Sequence, residues 1–314
     1  MVRLYFACDA HGSTLVWKKW LNAPSYYNAD IILFCGDLTG KFITPIIERE
    51  DGTYIANVFG TVKKIRSNEE LNKILGLIEN VGYYPFVCSL KEYKEFQDDP
   101  KKLDDLFKRL LCERMSKWLS LVTEKIDLKN KYVICMPGND DELFIDDVIK
   151  SFESDGIIYP LGKVLNLFYD FEIISLEYVN PTPWKTPREC EEQELKEKIE
   201  KLLEKCKDPG KTIFNFHCPP FNTRLDLARK LSKDLKPSAH GEREHVGSKA
   251  VREAIEKYQP TLGLHGHIHE SFAFDHIGKT LVVNPGSEYT EGILRGFVID
   301  VTTNRIDKFV KVEG

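Results

Sequence analysis

VRLYFACDAHGS at residues 2–13 and DIILFCGD at residues 30–37 decide the fold. The first stretch opens as a short apolar strand and breaks at the polar cluster Cys8-Asp9-Ala10-His11-Gly12. Ser13 then stands where a helix cap is wanted, and Val16, Trp17, Trp20 and Leu21 recur on one helical face through about Asn22. The second stretch is an apolar run over 30–35 that ends at Gly36-Asp37. Strand, helix and strand in such quick succession begin a βαβ unit, so the expected class is α/β.

The same grammar repeats further along. A strand over 131–136 ends at Pro137-Gly138-Asn139-Asp140-Asp141. One over 212–216 ends at His217-Cys218-Pro219-Pro220, and one over 261–265 at Gly266-His267-Ile268-His269. Between them, apolar periodicity predicts helices over about 68–80, 101–127, 142–150 and 189–207, and one from Ser248 to Tyr258. Further strands are expected at 157–159, 163–169, 171–176, 279–283, 294–300 and 305–310. Residues 43–62 read as a hairpin with a type I′ turn at Asp51-Gly52, its first strand confined to an edge by Pro45. No repeat or linker interrupts the chain, so a single domain over 1–314 with insertions at about 40–130 and 181–247 is expected.

Composition narrows the function classes. Of 314 residues 42% are hydrophobic and 11% aromatic, which excludes wholesale disorder. Acidic residues outnumber basic ones, 49 to 44, and the pI near 6.0 argues against coating of nucleic acid or anionic membrane by bulk charge. No apolar run approaches the ~20 residues of a membrane span. The N-terminus has no signal-peptide core, and eight cysteines without a CxxC pair read as thiols of a reducing compartment. A cytoplasmic protein is expected.

Five strand ends thus carry Asp9 and His11, Asp37, Asn139, His217, and His267 and His269. Strand ends are where α/β folds place ligands. Two carboxylates, four imidazoles and a carboxamide suit Mn²⁺, Fe²⁺ or Zn²⁺, and seven donors suit two adjacent ions sharing one carboxylate. Asp9 and His11, two apart, would point to one side in extended geometry.

The ordered set DxH at 9–11, GD at 36–37, GN at 138–139, His217 and GHxH at 266–269 resembles the calcineurin-like metallophosphoesterase superfamily. The likeness extends to Asn284-Pro285-Gly286-Ser287. It implies a four-layer αββα sandwich of two mixed β-sheets. It also implies that Asp9, His11 and His269 bind one metal, that Asn139, His217 and His267 bind another, and that Asp37 bridges them. Phosphate mono- or diesters would then be hydrolysed by a metal-bridging hydroxide at a net positive centre, the partner being a small phosphate ester. A nuclease of the same superfamily and a non-catalytic metal-binding scaffold are the alternatives.

One position departs from the pattern. Many members carry His after Gly-Asn, held to protonate the leaving group, followed by Asp; here these are Asp140 and Asp141. An Asp starts near ~3.9 and neighbouring cations favour its charged form, so weak acid assistance is expected from Asp140. His240, Arg243 and His245, in a loop before the Ser248 helix, and Arg224 are candidates for substrate contact at the rim. His265 reads as core or as support for the ligands.

Overall fold

The computed structural model describes residues 1–232, 234, 241–303 and 305–314. Two six-stranded mixed sheets make its centre. From edge to edge the first contains Ile306–Glu313, Arg295–Val301, Val2–Ala7, Ile31–Cys35, Tyr132–Met136 and Ile157–Ile158. The second contains Ala273–Ile277, Thr280–Asn284, Leu262–Leu264, Thr212–Phe216, Phe171–Leu176 and Val164–Phe168. Parallel pairing dominates both, so the inner strands are covered on two faces and their sequences are nearly unbroken apolar runs.

Side-chain alternation divides those runs between layers. Leu4, Phe6, Ile31, Leu33, Ile134 and Met136 meet Ile173, Ile213, Leu262 and Leu264 of the other sheet. The opposite parity, Tyr5, Ala7, Ile32, Phe34 and Val133, faces the helices Thr14–Tyr26 and Pro100–Lys125. There Trp17 stacks on Trp118 with ring centroids 4.7 Å apart, and the Trp17 indole N–H donates to the Trp118 carbonyl. On the far side Ile174, Phe214 and Phe216 pack against the helices Glu192–Leu203 and Lys249–Tyr258. The order helix, sheet, sheet, helix is the expected αββα sandwich. Ser13 and Ser248 cap their helices by accepting from Val16 N and Val251 N. No helix among the described residues is long and apolar enough to cross a membrane.

The stretch after Gly40 differs from its sequence reading. It builds a third sheet in the order Thr61–Ile65, Tyr54–Val58, Ile43–Glu48, Tyr84–Ser89, backed by the helix Asn68–Asn80. Ile43–Glu48 is therefore interior, not an edge. Its antiparallel ladder starts only at Ile46, so Pro45, with no N–H to give, lies beyond the end of that ladder. The type I′ turn is at Phe59-Gly60, both with positive φ, where Val58 and Thr61 pair. Around Asp51-Gly52 the connection is longer, closed by Arg49 N to Thr53 O at 2.8 Å, and only Gly52 has positive φ.

Candidate metal centre

The loops leaving the two sheets meet at one end of the sandwich. Asp9, His11, Asp37 and Asn139 follow strands of the first sheet; His217, His267 and His269 follow strands of the second. All seven are placed together, and each of Asp9, His11, Asp37, Asn139 and His217 is at most 7% exposed.

Asp9 and His11 do not converge through extended geometry. The strand stops at Ala7, and φ is +59° at Asp9 and +41° at His11. Asp37, at +37°, and His267, at +69°, share this left-handed region. Such backbones cost about 1–3 kcal/mol each and persist where their surroundings over-determine them. Here they do: Asp9 N donates to Gly36 O, His11 N to Asp37 O and Gly12 N to Leu38 O, all within 3.0 Å. Ser287 Oγ donates to Asp9 O, and the Asn284 amide donates to the carbonyls of Gly266 and Ile268, holding the GHxH loop. Glycine is demanded at two points of the cradle. A Cβ on Gly36 would lie 2.1 Å from His217 Nδ1, and one on Gly138 2.2 Å from Asp37 Oδ1.

Two groups of donor atoms result. His11, Asp37 and His269 can each offer one atom within 4.8 Å of the others, and so can Asp37, His217 and His267. Asp37 belongs to both, its Oδ2 lying 3.6 Å from His11 Nε2 and 3.4 Å from His217 Nε2. Asn139 Oδ1 joins the second group, 3.0 Å from His217 Nε2. Its amide is oriented by a relay: Asn139 Nδ2 donates to Thr186 Oγ1, which donates to Glu189 Oε1. Asp9 lies behind both groups, Oδ1 3.9 Å from His217 Nδ1 and Oδ2 accepting from His267 N.

The electrostatics divide the imidazoles. Burial, reinforced by neighbouring imidazoles, pushes His11 and His267 down to about 3, so both offer lone pairs at neutral pH. Burial also opposes charge on His217, but Asp37 and then Asp9 outweigh it and lift that imidazole to about 9. Burial likewise works against a charged Asp37, yet His217 and His11 hold its carboxyl well below the usual range. Asp9 Oδ1 and His217 Nδ1 are buried without hydrogen-bond partners, and His11 Nε2 faces His269 Nε2 at 2.9 Å. Lone pairs gathered around a shared carboxylate, two buried polar atoms among them unpartnered, fit divalent metal ions.

Several neighbours correct or extend the sequence reading. Asp141, a candidate for catalysis beside Asp140, has both its oxygens engaged by the surrounding loops. Its Oδ1 accepts from Thr39 N and Thr39 Oγ1, and its Oδ2 from Leu38 N and Gly138 N, so it ties the Asp37 loop to the Asn139 loop. Asp140 is nearer the centre, its N donating to Asp37 Oδ1 and its Oδ2 3.8 Å from His11 Nδ1. Burial, with Asp37 beside it, raises its carboxyl to about 6. No motif pointed to Lys41, whose Nζ is 2.5 Å from Asp140 Oδ1, or to the fully buried Arg188 bonded to Asp141 O and Asp146. Tyr289, its ring tilted by 36° against that of His11 with centroids 4.8 Å apart, was discoverable just past Asn284-Pro285-Gly286-Ser287.

Arg243 and His245 belong to a separate two-stranded ribbon, Leu227–Arg229 with Arg243–His245. His245 Nδ1 is 2.8 Å from Asp226 Oδ1, a carboxylate that also gathers the backbone N–H groups of Asn222, Thr223 and Gly247. Arg224 is exposed, its backbone N donating to Asp275. Among the described residues none of their hydrogen bonds or ion pairs reaches the Asp37 cluster. His240 lies outside the described residues.

Comparison with known proteins agrees with this architecture. An uncharacterized protein of Methanocaldococcus jannaschii, MJ1162, is 31% identical over 216 residues, which cover 68% of this chain and 87% of that protein. The crystal structure of TT1561 of Thermus thermophilus superposes with a TM-score of 0.55 at 12% identity, covering 99% of this chain and 98% of the other. Another crystal structure reaches a TM-score of 0.58 at 16% identity over 98% of each chain. At such identities the structures speak for the fold alone. The family model for calcineurin-like phosphoesterases matches residues 2–271, from the first strand through the GHxH loop, and the chain belongs to that family.

Proposed function

We propose that this protein hydrolyses phosphate esters, mono- or diesters, at a centre of two divalent metal ions. Asp9, His11 and His269 would hold one ion, Asn139, His217 and His267 the other, and Asp37 both. The observation that carries the reading is the Asp37 carboxylate shared by two groups of donors. When bound, two such ions attract the phosphate anion and lower the pKa of water so that it attacks phosphorus near neutral pH. Mixed nitrogen and oxygen donors suit Mn²⁺, Fe²⁺ or Zn²⁺.

The chain's own groups do the rest. The thiols nearest the cluster are poor nucleophiles: burial drives Cys218 up to about 12 and Cys8 well above its ordinary value. In this reading water, not a thiol, attacks; its oxygen bonds to phosphorus as the P–O bond to the alcohol breaks. Lys41 Nζ donates to Asp140 Oδ1 at 2.5 Å beside the centre, and the ammonium so placed can pass a proton to the departing alkoxide. His11, His267 and His269 stay in place through the left-handed turns and the Asn284 and Ser287 clamps described above. Eight free cysteines support placing the protein in a reducing, cytoplasmic compartment.

The test is hydrolysis of p-nitrophenyl phosphate and bis(p-nitrophenyl) phosphate by EDTA-stripped protein before and after Mn²⁺, Fe²⁺ or Zn²⁺ is restored. Activity should appear only with metal, and Asp37→Asn should abolish it while retaining the fold. Failure to take up metal by calorimetry, or hydrolysis indifferent to Asp37→Asn, would refute the proposal.

A further inference from the structure

The segment that follows Asp37 runs through Lys41 to a cavity of about 580 Å³. It opens between the strands Ile43–Glu48 and Tyr84–Ser89, the helix Leu90–Asp98 and the beginning of the helix Pro100–Lys125. Its wall is apolar and aromatic: Phe42, Phe86, Tyr93, Phe96, Leu103 and Phe107 line it. Phe86 and Phe96 meet edge to face at 5.5 Å. The small core of the inserted sheet, built from Ile46, Ala56, Val58, Ile65 and Ile78, does not include any of these residues. Phe42 and Leu103 are left 57% and 41% exposed. A concave, mainly aromatic surface of this size is the form small-molecule sites take.

What lies at its mouth identifies the occupant. Lys41 lines the cavity, while its ammonium is bonded to Asp140 Oδ1, and Asp140 N donates to Asp37 Oδ1 at 2.9 Å. One lysine therefore joins the apolar wall to the Asp37 centre, stem on one side and charge on the other. Of the other polar side chains in the lining, Asp104 is exposed to solvent and the Gln97 amide already donates to the Tyr93 hydroxyl. That arrangement suits a hydrocarbon better than the hydrogen-bonding edges of a nucleobase.

We infer that this cavity is the subsite for the alcohol portion of the substrate, and that the substrate is a phosphate ester of a large apolar alcohol, aryl or long alkyl. The inference rests on the phosphoesterase reading above. The ester's phosphate would be held at the Asp37 centre, its alcohol passing Lys41 into the aromatic wall.

Steady-state kinetics of the Mn²⁺-loaded full chain test it, using ethyl, butyl, hexyl and octyl phosphates alongside phenyl and naphthyl phosphates. KM should fall by roughly three- to fourfold per buried methylene until the cavity is filled, with kcat nearly constant. Phe96→Ser and Leu103→Asn should each raise KM for octyl phosphate by about tenfold or more and leave ethyl phosphate unchanged. The alkyl and aryl arms show which hydrocarbon fits. In parallel, an anilinonaphthalene sulfonate dye should bind the metal-free protein, be displaced by octyl phosphate, and bind weakly to both variants. KM flat along the series, or nucleoside monophosphates preferred and both variants silent, would overturn the inference. Should no ester, activated diesters included, be hydrolysed, the phosphoesterase reading fails by itself, and dye displacement still decides whether the cavity takes apolar phosphates.

Discussion

Asp141 offers a stringent test of how the metal loops are held. Its buried carboxylate accepts from Leu38 N at 2.9 Å, Thr39 N at 2.8 Å, Thr39 Oγ1 at 2.6 Å and Gly138 N at 2.9 Å. Three of these donors are backbone N–H groups that would find no other acceptor. Leaving a buried donor unmade costs ~1–3 kcal/mol, so Asp141→Ala should cost about 3–9 kcal/mol. That rivals the ~5–15 kcal/mol by which whole domains are stable, and the variant should fold poorly or not at all. Asp141→Asn is the informative change. Its remaining oxygen can keep Leu38 N and Gly138 N while its NH₂ confronts Thr39 N. One backbone donor is then lost, the Thr39 hydroxyl can rotate to accept, and the cost falls to about 1–3 kcal/mol. Urea unfolding at neutral pH should show this loss, and equilibrium dialysis should show weakened metal uptake, because Leu38 and Gly138 flank Asp37 and Asn139. An Asp141→Asn protein within ~0.5 kcal/mol of wild type, binding metal equally well, would refute the claim that Asp141 ties the two loops.

Gly138→Ala should fold with a loss of about 1–3 kcal/mol, yet bind fewer metal ions by calorimetry, because its Cβ would fall 2.2 Å from Asp37 Oδ1; unchanged stoichiometry would contradict the cradle. Thr186→Val removes the acceptor that orients the Asn139 amide, and metal affinity measured by chelator competition should drop by about 10–100-fold, with the melting temperature little altered. Glu177 provides a pH test outside the donor cluster, since burial raises its carboxyl despite Arg188 nearby. A folded pKa above the unfolded one means that the stabilising contribution is full below the unfolded pKa and disappears as pH rises through the folded value. Glu177→Gln should therefore melt higher than wild type near pH 7, by scanning calorimetry, with the advantage shrinking as pH falls towards the unfolded carboxyl range; an advantage independent of pH would exclude the linkage.

The inner strands were legible because burial on two faces leaves no room for polar residues: Ile31–Cys35 is buried at every position. The strands that escaped the sequence reading are peripheral or broken. Thr61–Ile65 has two lysines and four exposed positions at an edge, Ala273–Ile277 carries Asp275 and His276, and Tyr84–Ser89 contains Pro85. Charge on an edge strand prevents unwanted pairing, and in doing so removes the apolar signature by which a strand is recognised.

The seven cluster residues were visible as chemical types at strand ends, but their supports were not. Lys41, Thr186 and Arg188 come from loops whose spacing carries no period, and only the folded chain places them beside Asp140, Asn139 and Asp141. Backbone conformation was hidden as well. The alternation that puts i and i+2 on one face applies to strands, whereas Asp9 and His11 lie beyond the strand in left-handed turns. Asp and His enter that region more readily than most side chains, so the residue types suited to hold a cation also tolerate the required bend. Four such residues nevertheless imply on the order of 4–12 kcal/mol of local strain, comparable to the stability of a domain. The strain is sustainable because hydrogen bonds accepted by Asp141 and donated by Asn284 and Ser287 join the same loops. Partial loss of those ties, as in Asp141→Asn, should therefore impair metal geometry before it unfolds the sandwich, whose apolar core lies between the sheets and does not include the strained residues.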